Sequence, residues 1–173
     1  MFSRIRADAR ELMRVEATHI PGEGRMARYR PLWCDTFSVT VWQRTREFLR
    51  RARVPLANRI VRRIQLAFYG IDLGNDITLG SGVSFVHTVG IVIGGTAKVG
   101  NRVRFMGSNT VGTAKDNGYP VIEDDVEVGA GARILGPVRI GARSVVGANA
   151  VVIADVPADS VAIGIPARSR SKA

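Results

Sequence analysis

Large apolar residues recur at every sixth position along the C-terminal part of the chain, in three series separated by breaks. An α-helix would need a period of 3.6 and a half-buried strand a period of two, so neither explains this pattern. A period of six suits short strands joined by turns, three to a coil, with the apolar side chains stacked inward. The series are Ile71, Ile77, Val83, Val89; Ile93, Val99, Phe105, Val111; and Ile122, Val128, Ile134, Ile140, Val146, Val152.

These fourteen six-residue units predict a mainly β domain over residues 70–160, a left-handed parallel β-helix of hexapeptide repeats with between four and five triangular coils. Glycine often follows the apolar position, and small residues fall where the chain must bend at a corner. A β-sandwich is the alternative for many short strands, but it would not keep so strict a phase. A turn-rich excursion at 112–121 interrupts the repeat, and loops on rigid scaffolds commonly carry binding groups.

Residues 1–69 are predicted to form a small helical N-terminal segment that covers the open end of the β-helix. A second helix is expected at about 36–53, and a third begins at Pro55, since proline is favoured in the first helical turn. Residues 161–173 leave the repeat and are expected to form a basic C-terminal tail. Two apolar stripes mark the first and third helices: Phe2, Ile5, Ala9, Leu12, Met13, and Leu56, Ile60, Ile64, Phe68.

The net charge of +10 is carried almost entirely by the helical segment. Residues 1–70 hold 15 basic and 6 acidic side chains, whereas residues 71–173 hold 10 and 9. Nucleic-acid binding, a membrane-surface helix and solvated arginines near an anionic ligand are all compatible with this excess. No zinc-finger, RNA-recognition or helix-turn-helix signature accompanies the charge, so we expect no nucleic-acid partner.

Three absences in the sequence bear on where the protein works. No apolar run approaches the ~18 residues that span a bilayer, so no stable membrane insertion is expected. The charged N-terminus lacks the apolar core of a secretory signal. The lone Cys34 excludes an internal disulfide framework and fits a reducing compartment. We therefore expect a cytoplasmic protein.

The chain has two histidines, and they differ in context. His19 lies in a polar segment and is expected to be an ordinary surface residue, whereas His87 lies inside the repeat. A histidine in a repeat strand can be a hydrogen-bonded structural residue or a general base. A metal site needs several ligands, and two distant histidines with one cysteine do not suggest one.

Four stretches of the repeat body carry a family resemblance. They are Gly70-Ile-Asp-Leu73, His87-Thr-Val-Gly-Ile-Val-Ile-Gly-Gly-Thr-Ala97, Val128-Gly-Ala-Gly-Ala-Arg-Ile-Leu-Gly136 and Gly164-Ile-Pro-Ala-Arg168. Together they resemble the active-site region of the serine O-acetyltransferase family of hexapeptide-repeat acyltransferases. The hexads alone specify only the fold, and the stretch that begins at His87 is the discriminating part.

The resemblance implies an acetyl-CoA-dependent acyltransferase that uses acetyl-CoA as co-substrate and no metal, and that acts on a small-molecule acceptor. It also implies a homotrimer, with pairing of trimers left open, and a catalytic pair at the trimer interface. His87 would be the general base that takes the proton of an acceptor hydroxyl. Asp72 would fix the imidazole tautomer and stabilise the imidazolium, its alternative role being that of a turn residue.

Three polar features of the family members that acetylate serine are replaced or missing here. Val86 replaces the aspartate that usually precedes the catalytic histidine, and Gly118 and Tyr119 replace an Arg-His pair before Pro120. Glu16 is the best match to an acceptor-site aspartate. A zwitterionic acceptor would lack partners in such a pocket, which costs several kcal/mol. Tyr119 and Glu16 are the acceptor-binding candidates.

The departures favour a sugar or polysaccharide precursor as acceptor, as in the colanic-acid-type polysaccharide acetyltransferases that this chain also resembles. Serine O-acetylation, N-acetylation of an amino sugar and a non-catalytic interaction module stay open as alternatives. The family's CoA groove between neighbouring prisms maps onto Gly112, Thr113, Ala130, Ala148 and Arg168. Arg168 would contact phosphate, since charge-assisted bonds to phosphate are strong.

Overall fold

Three helices precede a stack of short strands. The computed structural model describes residues 2–19 and 35–172, without the side chains of 2, 3, 14–19 and 55, so Cys34 lies outside the described residues. The helices are α1 at Phe2–His19, α2 at Asp35–Arg51 and α3 at Pro55–Tyr69. Fifteen strands follow within the described part of the chain, and they stack mainly in parallel into a β-helix. The predicted fold class is confirmed.

The strands form three faces of a prism. Face A contains β1 (Asp72–Leu73), β4 (Val92–Ile93), β7 (Thr110–Gly112), β10 (Arg133–Leu135) and β13 (Val151–Val152). Face B contains β2 (Thr78–Leu79), β5 (Lys98–Val99), β8 (Val121–Ile122) and β11 (Arg139–Ile140). Face C contains β3 (Ser84–Phe85), β6 (Arg104–Phe105), β9 (Glu127–Val128), β12 (Val145–Val146), β14 (Ser160–Gly164) and β15 (Ala167–Ser171).

Two of the three corners matter for the site. The turns between faces C and A, at 86–91, 106–109, 129–132 and 147–150, stack into what we call the histidine corner because His87 lies there. The turns between faces A and B, at 74–77, 94–97, 113–120 and 136–138, form the loop corner, which includes the predicted excursion. Each strand pairs with the strand one coil away, so every corner residue has a neighbour about 4.8 Å above it.

The first coil buries more residues than the predicted series contains. Ile71, Ile77 and Val83 are buried as predicted, and the strand residues Leu73, Leu79 and Phe85 are buried beside them. Phe85 stacks on Phe105 of the next coil with ring centroids 5.6 Å apart. Val89, predicted to face inward, is 70% exposed, so that prediction is wrong. The first coil has two apolar residues per hexad, two positions apart, and both series satisfy a period of six. The period alone therefore could not show which of the two series continues inward after the turn at 86–91.

Helix α2 links the helical N-terminal segment to the first coil of the β-helix through buried hydrogen bonds. Arg44 donates to Asp8 of α1 at 2.9 Å and to the carbonyls of Leu79 and Gly80 at 3.0 and 2.7 Å. Burial would lower the pKa of Arg44, but hydrogen bonds and charges from Asp8 and Glu47 raise it overall. Because buried cations are stable only with such partners, this network fixes the helices on the β-helix.

Helix α3 turns its apolar stripe away from the β-helix, although an amphipathic helix ordinarily packs such a stripe inward. Leu56, Ile60 and Phe68 are 70%, 51% and 78% exposed. The inward face instead carries Asn58 and Gln65, which are 8% and 1% exposed. Their carbonyl oxygens accept hydrogen bonds from Arg46 of α2, and a buried guanidinium needs such acceptors. Burial, followed by the charge of Arg62, lowers the pKa of Arg46 to about 10.

The C-terminal residues form a hairpin where a basic tail was expected. β14 pairs in parallel with β12 and in antiparallel with β15, so Ser160–Ser171 extend face C. The hairpin satisfies backbone groups that a free tail would leave to solvent. Among the described residues no helix combines the length and hydropathy that a bilayer span requires.

Candidate active site

His87 lies on an exposed turn of the histidine corner, directly after β3. A Cβ built on Gly107, one coil above, would come within 3.0 Å of the His87 Cβ, and Gly107 has a φ of +134°. The absence of a side chain at Gly107 therefore makes room for the histidine. Among the described residues no hydrogen bond engages the imidazole, so both ring nitrogens are open to a ligand.

The turn that carries His87 is longer than its counterparts. Phe85 and Ile93 are eight residues apart, whereas the other inward positions between Leu73 and Val152 follow at six, except across the loop excursion. The strand pairing confirms this, since Asp72 pairs with Val92 twenty residues later and Val92 with Thr110 only eighteen later. The two extra residues push the turn outward, which explains why a histidine here is exposed.

Asp72 lies on face A, beside the histidine corner, in an ion pair that the sequence did not reveal. Arg62 of α3 donates from Nε and Nη2 to its two carboxylate oxygens, both at 2.9 Å. The segments that carry Asp72 and His87 touch, because a Cβ on Gly70 would lie 3.4 Å from the Val89 Cα. No hydrogen bond joins Asp72 to His87 within the described part of the chain. Each carboxylate oxygen still has a second lone pair to offer.

Tyr119 lies at the loop corner, at the opposite end of face A from His87. Its ring covers the turn at Gly95, where a built Cβ would lie 1.9 Å from the Tyr119 Cζ. A Cβ built on the neighbouring Gly118 would lie 3.1 Å from the Cβ of Pro137, so Gly118 packs against that proline. Within one chain, Tyr119 and His87 therefore belong to different corners, and face A separates them.

We expect Gly95→Ala to displace the Tyr119 ring and to destabilise the loop corner by about 1–3 kcal/mol, because overpacking adds to a strained φ of +57°. Denaturant unfolding measures the loss. Gly94→Ala is the matched control, since its Cβ would meet Tyr119 at an ordinary 3.7 Å. Equal stability of the two variants would show that the ring does not lie on Gly95.

The predicted CoA residues divide between the two corners. Ala130 and Ala148 lie at the histidine corner. Gly112 is the last residue of β7, directly before the loop corner, and Thr113 is the first residue of that corner, where its hydroxyl is buried without a hydrogen-bond partner. Arg168 pairs across the hairpin with Ile163, whose side chain lies 2.8 Å from a Cβ built on Gly147. That contact places Arg168 at the upper end of the histidine corner.

A column of small residues thus connects His87 to Arg168. Gly131 donates its backbone N–H to Gly107 at 2.9 Å, and Asn149 donates to Ala130 at 2.8 Å. Five strand spacings of 4.7–4.9 Å, from β3 to β15, give roughly 24 Å between the ends of the column. A surface of this kind, with small side chains along it, a histidine at one end and a cation at the other, can accept an elongated anionic ligand.

Two arginines at this corner were not found from the sequence. Arg62 is one of six arginines between residues 50 and 63, and nothing in the sequence marks it as the partner of Asp72. Arg133 on face A donates to the carbonyl of Ser108, which brings a guanidinium next to the column. The Arg62 pair joins a helix to a strand, and the Arg133 bond joins two neighbouring coils. The six-residue period contains no information about such contacts.

Other predicted residues fall outside this arrangement. Glu16 and His19 belong to α1, but their side chains are not among the described ones. Across residues 2–19 and 35–172, no three potential metal ligands come together. A groove of about 560 Å³ lies instead on face B, and its charged lining includes Lys98, Glu123 and Arg143. The fold and the exposed histidine on a lengthened turn thus define a hexapeptide-repeat β-helix with a corner site.

Comparison with known proteins places the chain in a family. A family model described as "Bacterial transferase hexapeptide (six repeats)" matches residues 119–154. The serine acetyltransferase of Synechococcus elongatus is 36% identical over 135 residues, which are 76% of this chain and 55% of that protein. This chain thus spans little more than half the length of that relative.

Two solved structures extend the match to nearly the whole chain. The soybean serine acetyltransferase complexed with serine is 31% identical, with a TM-score of 0.85, over 97% of this chain and 70% of that one. A serine acetyltransferase in complex with CoA is 25% identical, also with a TM-score of 0.85, over 97% and 68%. The chain belongs to the hexapeptide-repeat transferase family, and these relatives are serine acetyltransferases.

Proposed function

We propose that the chain is an acetyl-CoA-dependent O-acetyltransferase whose active site is the histidine corner, with serine as the first acceptor to test. The observation that carries this proposal is the exposed His87 with open ring nitrogens at the foot of a column that ends at Arg168. A general base must be within reach of the proton that it removes, and an exposed turn gives that access. The names of the relatives supply the acyl donor and the acceptor class.

The proposed reaction needs one base that later acts as an acid. The neutral His87 imidazole takes the proton of the acceptor hydroxyl while its oxygen attacks the thioester carbonyl of acetyl-CoA. The tetrahedral intermediate collapses, its carbon–sulfur bond breaks, and the imidazolium returns the proton to the CoA thiolate. Asp72, held by Arg62, would stabilise the imidazolium through a bond to the other ring nitrogen.

A complete site would require more than one copy of the chain, and we propose a homotrimer. His87 and Tyr119 lie at opposite ends of face A, so they can share a ligand only if one comes from a neighbouring copy. Val86, Val89 and Val92 near His87 are 43%, 70% and 40% exposed, which is an apolar surface suited to such contact. The two groups of CoA candidates, Ala130 with Ala148 and Gly112 with Thr113, would then line one groove.

The sequence and the relatives favour different acceptors. The sequence departures at Val86, Gly118 and Tyr119 favour a sugar, whereas the relatives named above favour serine. The packing of Tyr119 over Gly95 supports a structural role for its ring, which weakens the argument for sugar stacking. Arg133 at the histidine corner offers a cation to a carboxylate acceptor, so we place serine ahead of a sugar.

An acceptor panel tests this proposal. The full chain is incubated with acetyl-CoA and serine, homoserine, hexoses or amino sugars, and thiol release and acetylated products are measured. Serine should give the fastest release and O-acetylserine as product. Acetylation of a hexose alone would identify a sugar O-acetyltransferase, and acetylation of an amine would identify an N-acetyltransferase.

Arg62→Gln should lower kcat about 10- to 100-fold and leave the KM for acetyl-CoA almost unchanged, because it frees the Asp72 carboxylate to take other orientations. Arg63→Gln is the matched control, since Arg63 is an exposed neighbour on the same helix. Steady-state kinetics of both variants decide the question. Equal kcat in Arg62→Gln and the wild type would show that Asp72 needs no such support.

A further inference from the structure

Helix α3 exposes an apolar stripe to solvent, which we call the α3 outer face. It consists of Leu56, Ile60, Ile64 and Phe68, of which Leu56, Ile60 and Phe68 are more than half exposed. These residues follow at intervals of four and therefore form one continuous strip. A strip of large aliphatic and aromatic side chains on a surface usually marks an interaction site.

The inward face of the helix shows that this exposure is built into the fold. Gln65 and Asn58 are buried and bound to Arg46, at 3.0 and 3.2 Å, and Arg46 also donates to the Leu73 carbonyl at 2.8 Å. Rotation of α3 to bury the apolar strip would remove these acceptors from a buried cation, which is costly. The α3 outer face is thus held outward.

Arginines are frequent in the stretch of sequence that carries the strip, and acidic residues are absent from that stretch. The sequence has six arginines and no acidic residue between Phe48 and Ile71. Arg50 and Arg62 turn to Asp76 and Asp72 of the β-helix. The other four are exposed and form no ion pair with any described residue; they are Arg51, Arg53, Arg59 and Arg63.

The apolar strip and its neighbouring arginines together indicate which kind of partner could bind the α3 outer face. A second copy of the chain, placed on this surface by a two-fold axis, would bring Arg59 and Arg63 close to the same residues of its partner. A nucleic acid would neutralise the arginines but leave Leu56 and Ile60 in water. The interface of an anionic bilayer accepts both groups, since aliphatic side chains enter the acyl boundary while arginines reach the phosphates.

We propose that the α3 outer face docks the protein on the surface of an anionic phospholipid bilayer, with α3 lying in the plane of the interface. The interaction is peripheral and reversible. It is independent of the proposed acetyl transfer, because no residue of the histidine corner takes part in it.

Vesicle co-sedimentation of the full chain tests the proposal. Phosphatidylserine–phosphatidylcholine vesicles should bind the protein, and pure phosphatidylcholine vesicles should bind it far more weakly. The double variant Arg59→Gln with Arg63→Gln should weaken partitioning roughly 25-fold, at about fivefold for each arginine near an anionic surface. The double variant Leu56→Ser with Ile60→Ser should weaken it about tenfold or more.

Arg168→Gln with Arg170→Gln is the matched control, because it removes the same charge from the exposed hairpin at the far end of the β-helix. This variant should bind vesicles like the wild type. Three results would overturn the proposal: no binding to anionic vesicles, an equal loss in the hairpin control, or an unchanged affinity in Leu56→Ser with Ile60→Ser. Loss of self-association in that variant, with vesicle binding intact, would assign the surface to a second copy.

Discussion

Replacement of His87 by alanine is expected to lower acceptor-dependent turnover of acetyl-CoA about 10³-fold, within the range that a positioned general base contributes. The residue lies on an exposed turn, so its removal should leave the fold intact. The rate of thiol release at saturating acetyl-CoA and serine is the measurement. CoA affinity, followed by calorimetry, should change little, because the base acts on the acceptor proton.

His19→Gln is the control, since His19 is the other histidine of the chain and has no role in the proposed reaction. It should turn over like the wild type. If His87→Ala retained wild-type turnover with a genuine acceptor, the histidine corner would not be the catalytic site. Equal melting temperatures of the variant and the wild type are needed to interpret a loss.

Asp8→Asn is expected to lower the free energy of unfolding by about 3 kcal/mol, because it leaves the buried Arg44 guanidinium without its main counter-charge. The two side chains are 1% and 3% exposed, and Asp8 also accepts the backbone N–H of Gly82 at 3.1 Å. The pair joins α1, α2 and the first coil, so its loss should loosen the cap. Urea unfolding followed by circular dichroism gives the value.

Asp76→Asn breaks a comparable pair at the surface and serves as the reference. Arg50 and Asp76 are 40% and 67% exposed, so solvent screens them and the loss should not exceed about 0.5 kcal/mol. If the two variants were equally stable, the buried network would not hold the helices on the β-helix.

The six-residue period predicted the fold because inward stacking repeats locally in the sequence. It did not reveal that Val89 is exposed, because the series that starts at Ile71 and the series that starts at Leu73 both follow the same period. The turn at 86–91 is two residues longer than the other turns of that corner, and the period does not show which series continues inward after it. The hairpin at Ser160–Ser171 was missed because its pairing is antiparallel and leaves the repeat. The apolar stripe could not give the orientation of α3, because the buried Arg46 holds the amide side chain of Gln65 on the inward face.

The sequence indicated individual candidate residues for the site but not how these residues are arranged in space. His87 could be found because it is the one histidine within the repeat and it opens the stretch that resembles the serine O-acetyltransferase active site. That His87 and Tyr119 lie at opposite ends of face A follows only from the coil geometry. The pairing of Asp72 with Arg62 joins a helix to a strand ten residues later, and no local pattern encodes it. The catalytic and acceptor roles remain predictions.

A crystal structure of the chain with CoA tests the central claim most directly. The histidine-corner site predicts that the thiol lies within hydrogen-bond reach of His87 and that the elongated molecule follows Gly107, Ala130 and Ala148 toward Arg168. Atoms from the loop corner of a neighbouring copy should complete the groove. CoA bound instead in the face B groove, beside Lys98 and Arg143, would contradict the assignment of the histidine corner as the active site.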